Sequence, residues 1–69
     1  MEIINEVQKI RKEKNITQEV LAKSVGVTRR TIISLEKGNY IPSLLLALKI
    51  ADVLNVNINS IFYLKRESD

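Results

Sequence analysis

The stretch Thr17–Lys37, TQEVLAKSVGVTRRTIISLEK, restricts the possible folds more than any other part of the chain. It carries the same punctuation twice: an apolar residue, a threonine, a run of helix formers and a stop. Thr17 is placed to cap a helix, with Gln18 and Glu19 in the first turn, and Ile16 before it can staple onto Leu21. Leu21, Ala22 and Val25 form its inner face, and Gly26 ends it at no side-chain cost. Thr28 then caps a second helix, Val27 can staple onto Ile32, and Gly38 stops the helix after Lys37. Two short helices joined by so tight a turn cross steeply, so further helices must cover the apolar side they share.

The same signals extend outward. Residues 2–14 are expected to form a first amphipathic helix, with Ile3, Val7 and Ile10 at helical spacing. Lys12 and Lys14 suit its negative pole, and Asn15 sits at a left-handed stop. Asn39 to Pro42 reads as a turn, because proline disfavours helix before it. Ser43 caps a fourth helix, LLLALKIADVLN, with Leu45, Leu48 and Val53 assigned to the core from one side and Leu44 and Ile50 elsewhere. Asn55 is another stop. Asn57 caps a short fifth helix, with Val56 stapling onto Ile61, and Ile61 and Phe62 read as core. No strand, repeat or linker is read. The expectation is an all-α domain of five helices over residues 1–64, followed by a charged tail over 65–69.

Composition removes whole classes of function. The chain has no cysteine, hence no disulfide framework or thiolate metal site, and no histidine, the commonest general base and metal ligand. It also lacks a phosphate-cradling glycine loop and carboxylates paired around a pocket, so no enzyme, cofactor, metal or small-molecule ligand is expected. The start, MEIINEV, lacks the layout of a signal peptide, and Leu44–Leu48 is far shorter than a membrane span. A soluble cytoplasmic protein without membrane contact is expected. At 69 residues it is one domain near the lower limit of independent folding, which a partner chain would help to stabilise.

Charge is unevenly placed. From Lys9 to Lys37 eight Lys or Arg face three Glu, a balance of +5, against −2 for the remainder. Such asymmetry suits a polyanion. A helix pair crossing at a tight turn, the second opening with basic and hydroxyl residues, fits a DNA-reading arrangement in which the second helix enters the major groove. Thr28, Arg29, Arg30, Thr31, Ile33 and Ser34 are then the candidates for base contact. Arg29 and Arg30 lie about 100° apart on a helix, so Arg30 is assigned to a base and Arg29 is shared between base and phosphate. Ile33 either touches a thymine methyl or is partly buried against the second helix. Gln18, at the positive start of the second helix, is placed for phosphate. Lys37, Asn39 and Tyr40 are candidates for phosphates on the other flank, with Tyr40 alternatively packing on the turn.

The order of residues closely resembles the Cro/phage-repressor-type (XRE-like) helix-turn-helix family. The elements that carry this are TQEVLAKSVGVTRRTI, the LEKG ending of the third helix, PSLLLALKIADVLNV and the IFYL close, which together cover essentially the whole chain. Asn15 and Asn55 stand where glycines are usual, Val20 where a glutamate is frequent, and Ile33 where a small polar residue is usual. The resemblance implies a five-helix lambda-repressor-like DNA-binding domain, commonly a homodimer on a palindromic operator, and gives Gln18 a backbone-clamping role. It also implies a structural ion pair between Arg11 and Glu36. A dimer patch is expected from Leu44, Tyr63 and Leu64, unless these pack within the monomer. The function expected is a sequence-specific transcriptional regulator of double-stranded DNA, acting as a repressor. The alternative is an antitoxin or protein-interaction module of the same fold.

Overall fold

Hydroxyl side chains start three of the helices, and left-handed residues stop them. The computed structural model describes residues 2–66. In order the elements are β1 (Glu2–Asn5), α1 (Val7–Glu13), α2 (Gln18–Val25), α3 (Arg29–Glu36), α4 (Leu44–Leu54), α5 (Ile58–Ile61) and β2 (Phe62–Lys65). Thr17 Oγ1 accepts the Val20 N–H at 3.1 Å, Thr28 Oγ1 that of Thr31 at 3.3 Å, and Ser43 Oγ that of Leu46 at 3.1 Å. Each bond satisfies a backbone donor that the first helical turn leaves without a partner. Asn57 precedes α5 in extended backbone, but its side chain makes no capping bond, contrary to expectation.

The stops follow one pattern. Asn15, Gly26, Gly38 and Asn55 all have positive φ, between +57° and +83°. After each of them the next residue's N–H reaches back to a carbonyl in the preceding helix. Ile16 bonds Arg11, Val27 bonds Ala22 and Val56 bonds Ala51, each at 3.0 Å, and Asn39 bonds Ser34 at 2.9 Å. This closure turns the chain sharply and drives the following apolar residue inward. Ile16, Val27 and Val56 accordingly pack half-buried against the core.

Val7, Leu21, Ile32, Leu35, Ile50, Leu54 and Ile61 are fully buried, drawn from every helix. Ala22 and Ala51 let neighbouring elements approach closely among them. The fourth helix departs from the expected assignment. Its core face is Leu46, Ala47, Ile50, Ala51 and Leu54, whereas Leu45 and Leu48 are exposed and Val53 is only half-buried. A run that is apolar on every side does not state its own rotation; packing against α2 and α5 selects it.

The N-terminus is the larger correction. Residues 2–14 are not one helix, and the domain is not purely α. Glu2–Asn5 forms an antiparallel ribbon with Phe62–Lys65, pairing Glu2 with Lys65, Ile3 with Leu64, Ile4 with Tyr63 and Asn5 with Phe62. Ile3 and Ile4 are adjacent β-branched residues that favour extended backbone. Their partner strand lies at the opposite end of the sequence, beyond the reach of local periodicity. Asn5 makes the junction: its Oδ1 accepts the Val7 N–H at 3.2 Å, and its Nδ2 donates to the Leu35 carbonyl at 2.9 Å. The Glu6 N–H closes the base of the ribbon on the Ile61 carbonyl at 2.8 Å. Lys65, expected to begin a tail, belongs to β2, and residues 67–69 of that expected tail lie outside the described residues. Among the described residues no helix is long and apolar enough to cross a membrane.

Candidate nucleic-acid interface

The start and the end of α3 serve different purposes. Its end is anchored. Arg11 Nε donates to Glu36 Oε2 at 2.6 Å and Nη2 to Glu36 Oε1 at 3.0 Å, a two-pronged pair whose side chains are 7% and 3% exposed. The planar guanidinium matches the carboxylate plane, which makes such a pair directional as well as attractive. Arg11 Nη1 also donates to the Ile16 carbonyl at 2.9 Å, and Gln18 Nε2 donates to Glu36 Oε1 at 3.0 Å. One carboxylate thus ties α3 to the end of α1 and the start of α2. Asn5, through the Leu35 carbonyl, adds a fourth element.

The start of α3 is open. Thr28, Arg29 and Arg30 are exposed, and Thr31, Ile33 and Ser34 are half-buried beside them. The two threonine hydroxyls lie 3.2 Å apart, so they orient one another across the first turn. The arginines diverge. Arg29 lines a crevice of about 530 Å³ with Gln8, Arg11, Lys12, Thr17, Gln18 and Glu19, whereas Arg30 is not among its walls. This crevice lies where the end of α1 meets the starts of α2 and α3. Exposed Lys12 and Arg29, together with the unpaired backbone N–H groups at the start of α2, favour an anion there. Arg11 contributes less, since its charge is already met by Glu36.

Gln18 therefore sits at the crevice with one amide N–H given to Glu36, which leaves the other amide N–H and its backbone N–H as donors. Lys37, Asn39 and Tyr40 are exposed beyond the end of α3. Tyr40 lines a separate groove of about 220 Å³ with Val25, Gly26, Val27, Ser43, Leu45, Leu46 and Lys49, beside the α2–α3 turn. Of the expected dimer patch, Tyr63 and Leu64 line a shallow apolar groove with Ile3 and Phe62, while Leu44 opens α4 and is not among that groove's walls. The Tyr63 hydroxyl donates to the Glu6 carboxylate. That hydrogen bond, with smaller contributions from desolvation and the Glu6 charge, raises the phenol pKa above its ordinary 10.0.

Sequence reasoning missed Gln8 and Lys12 as members of the crevice. Lys12 was assigned only to the pole of its own helix. The signal available was its place beside Arg11, one position from a residue already expected to reach α3. Asn5 was missed as well, because its role depends on the ribbon.

The molecule is a small helical domain with one helix anchored at its end and presenting a basic, hydroxyl-rich start. Comparison with known proteins places it. The sequence profile of the helix-turn-helix family matches residues 7–61. The chain is 44% identical over 64 residues to the HTH-type transcriptional regulator YgzD of Bacillus subtilis, covering 93% of this chain and 97% of that one. It is 54% identical over 61 residues to an HTH-type transcriptional regulator of Archaeoglobus fulgidus, covering 88% and 86%. Among solved structures it is similar to a Bacteroides fragilis protein described as DNA-binding, with a TM-score of 0.82, 28% identity and coverage of 88% and 98%. The chain belongs to the XRE-type, Cro/phage-repressor-like helix-turn-helix family of transcriptional regulators, a DNA-binding family.

Proposed function

We propose that this protein is a sequence-specific regulator of transcription that binds double-stranded DNA with α2 and α3 as its helix-turn-helix and the start of α3 in the major groove. The observation that carries the reading is the contrast within α3: Glu36 and Leu35 are held by three other elements, while Thr28, Arg29 and Arg30 are free. A rigidly mounted helix with a free basic start is what base reading requires, because bidentate contacts tolerate little misplacement. Arg30, exposed and not among the walls of the crevice, reads a base edge, with Thr28, Thr31, Ile33 and Ser34 beside it. Arg29 and the start of α2 at Gln18, joined by Lys12, hold phosphate on one flank, and Lys37, Asn39 and Tyr40 hold it on the other. Two copies on a palindrome would place their α3 helices about one helical turn apart. Occupying a promoter in that way excludes other proteins, which is repression.

Selection of bound duplexes from a random pool, followed by gel-shift titration of the winner, tests this. A palindromic winner is expected. Arg29→Ala with Arg30→Ala should weaken binding to it by at least about 100-fold, the loss of one or two bidentate contacts, with helicity unchanged. Lys12→Ala should flatten the slope of log affinity against log salt by about 0.9. Unchanged affinity in the double arginine variant would refute the placement of α3. The absence of any preferred sequence would favour the interaction-module alternative.

A further inference from the structure

We propose that Ile33 and Arg30 together read a base step in which a C5-methylated pyrimidine, thymine or 5-methylcytosine, stands next to a guanine. This deepens the reading of α3 above and rests on it. Ile33 is half-buried, yet it is not among the partly buried apolar side chains that pack against the core, as Ile16 and Val27 are. That core includes the whole buried face of α2, Leu21, Ala22 and Val25, so Ile33 is not held there. On ideal helical spacing it projects about 130° from the middle of the side set by Ile32 and Leu35, and Arg30 about 170°. Its neighbours three and four positions away, Arg29, Arg30, Glu36 and Lys37, are all charged. Nothing in the helix itself calls for isoleucine among them, since β-branched residues form helix less readily than Leu, Lys or Glu.

The chemistry of the major groove selects the partner. The one apolar group that the four bases show there is the C5-methyl of thymine. In 5-methylcytosine the same group stands at the same ring position, where cytosine and uracil carry hydrogen. The fork of Arg30 fits O6 and N7 of guanine. Three residues along a helix advance about 4.5 Å, close to the 3.4 Å rise from one base to the next. The pair therefore meets adjacent bases, the arginine on guanine and the isoleucine on the methyl beside it. Isoleucine in a helix keeps one χ1 rotamer about 90% of the time, so the contact freezes little motion. Covering one methyl contributes about fourfold in affinity for each half-site.

The duplex selected from the random pool is the probe, with each thymine replaced in turn by deoxyuridine and affinity read by gel shift. For the wild type one position per half-site, next to a guanine, should lose about fourfold. At that position 5-methylcytosine should bind about fourfold tighter than cytosine; a response to thymine's methyl alone makes thymine the ligand. In Ile33→Ala the thymine and uracil duplexes should bind alike, with circular dichroism as the control for folding. Ile33→Gln, polar and a better helix former, should abolish the difference too, and serves if the alanine variant unfolds. A preferred duplex in which no methyl matters to the wild type overturns the proposal. So does a methyl effect that survives both Ile33 variants, and if it vanishes in Thr31→Ser instead, Thr31 is the reader. A pool with no preferred duplex refutes the placement of α3 and this inference with it, and shows as a missing operator rather than a missing methyl effect.

Discussion

Removing the Glu36 carboxylate should be among the most damaging single changes this domain can suffer. In Glu36→Ala the Arg11 guanidinium loses two bonds, at 2.6 and 3.0 Å, and keeps only the Ile16 carbonyl at 2.9 Å. With that side chain 7% exposed, water cannot replace the lost partner without opening the core. An uncompensated cation at such depth costs about 3–5 kcal/mol. At 0.05–0.15 kcal/mol per residue a chain of this length has roughly 3–10 kcal/mol in total, so the variant would stand at or near its unfolding midpoint. For a domain of this size the melting temperature should fall by about 12–40 °C. The pair itself is a different quantity. In Arg11→Met with Glu36→Leu no charge is stranded, the Gln18 amide is only half-buried, and most of the loss should be recovered. Urea unfolding of the wild type, Arg11→Met, Glu36→Leu and the variant carrying both closes the cycle. The expected coupling is at least about 2 kcal/mol. If each single change costs less than about 1 kcal/mol and the two simply add, the pair behaves as a solvent-exposed ion pair and the anchoring argument for α3 is wrong.

The turn and the ribbon carry further predictions. Gly26→Ala meets no atom within 4 Å of its new Cβ, so its cost is backbone strain at φ +81° alone, about 1–2 kcal/mol by calorimetry, with Gly26→Asn costing less. A larger loss would mean that the turn is crowded. Tyr63 has its pKa raised by its hydrogen bond to Glu6, so the fold favours the protonated phenol. The contribution of that bond is complete below the unfolded value near 10 and is lost as pH rises through the folded one. The stability difference between wild type and Tyr63→Phe should therefore close above about pH 10, read by thermal melts alongside tyrosinate absorbance. A difference that persists unchanged into strong alkali would show that the hydroxyl is not its source.

What could be read from the chain in advance followed the range of the interactions involved. The caps at Thr17, Thr28 and Ser43 and the stops at Asn15, Gly26, Gly38 and Asn55 are satisfied by atoms a few residues away, so residue type and spacing express them directly. The ribbon is different. Glu2–Asn5 has the spacing of a helix start if Val7 and Ile10 are counted with Ile3, and only pairing with Phe62–Lys65 overrides it. The rotation of α4 failed for a related reason: LLLALKI offers an apolar residue in nearly every direction, so tertiary packing chose Leu46 and Ile50 and left Leu45 and Leu48 in water. At the candidate interface, the residues on α3 could be named from their own helix. Lys12 and Gln8 join the crevice through the way α1 meets α2, which no local pattern records.

The anchoring of α3 has a consequence for how the surface can vary. Among the described residues, every long-range side-chain bond to this helix enters at Leu35 or Glu36, from Asn5, Arg11 and Gln18. Its packing rests on Ile32 and Leu35, both fully buried. The exposed residues at its start take part in neither. Arg29 and Arg30 make no hydrogen bond to another element among the described residues, and Thr28 bonds only within its own first turn. Exchanging Arg29 or Arg30 for other helix-compatible residues should therefore move stability by no more than about 0.5 kcal/mol, while each removes or adds a potential base contact. Ile33 and Ser34 are half-buried, so changes there should alter packing as well as the proposed reading surface. If the start of α3 reads bases as proposed, the domain separates what holds that helix in place from what it recognises, and one scaffold could be fitted to different sequences by changing two or three residues.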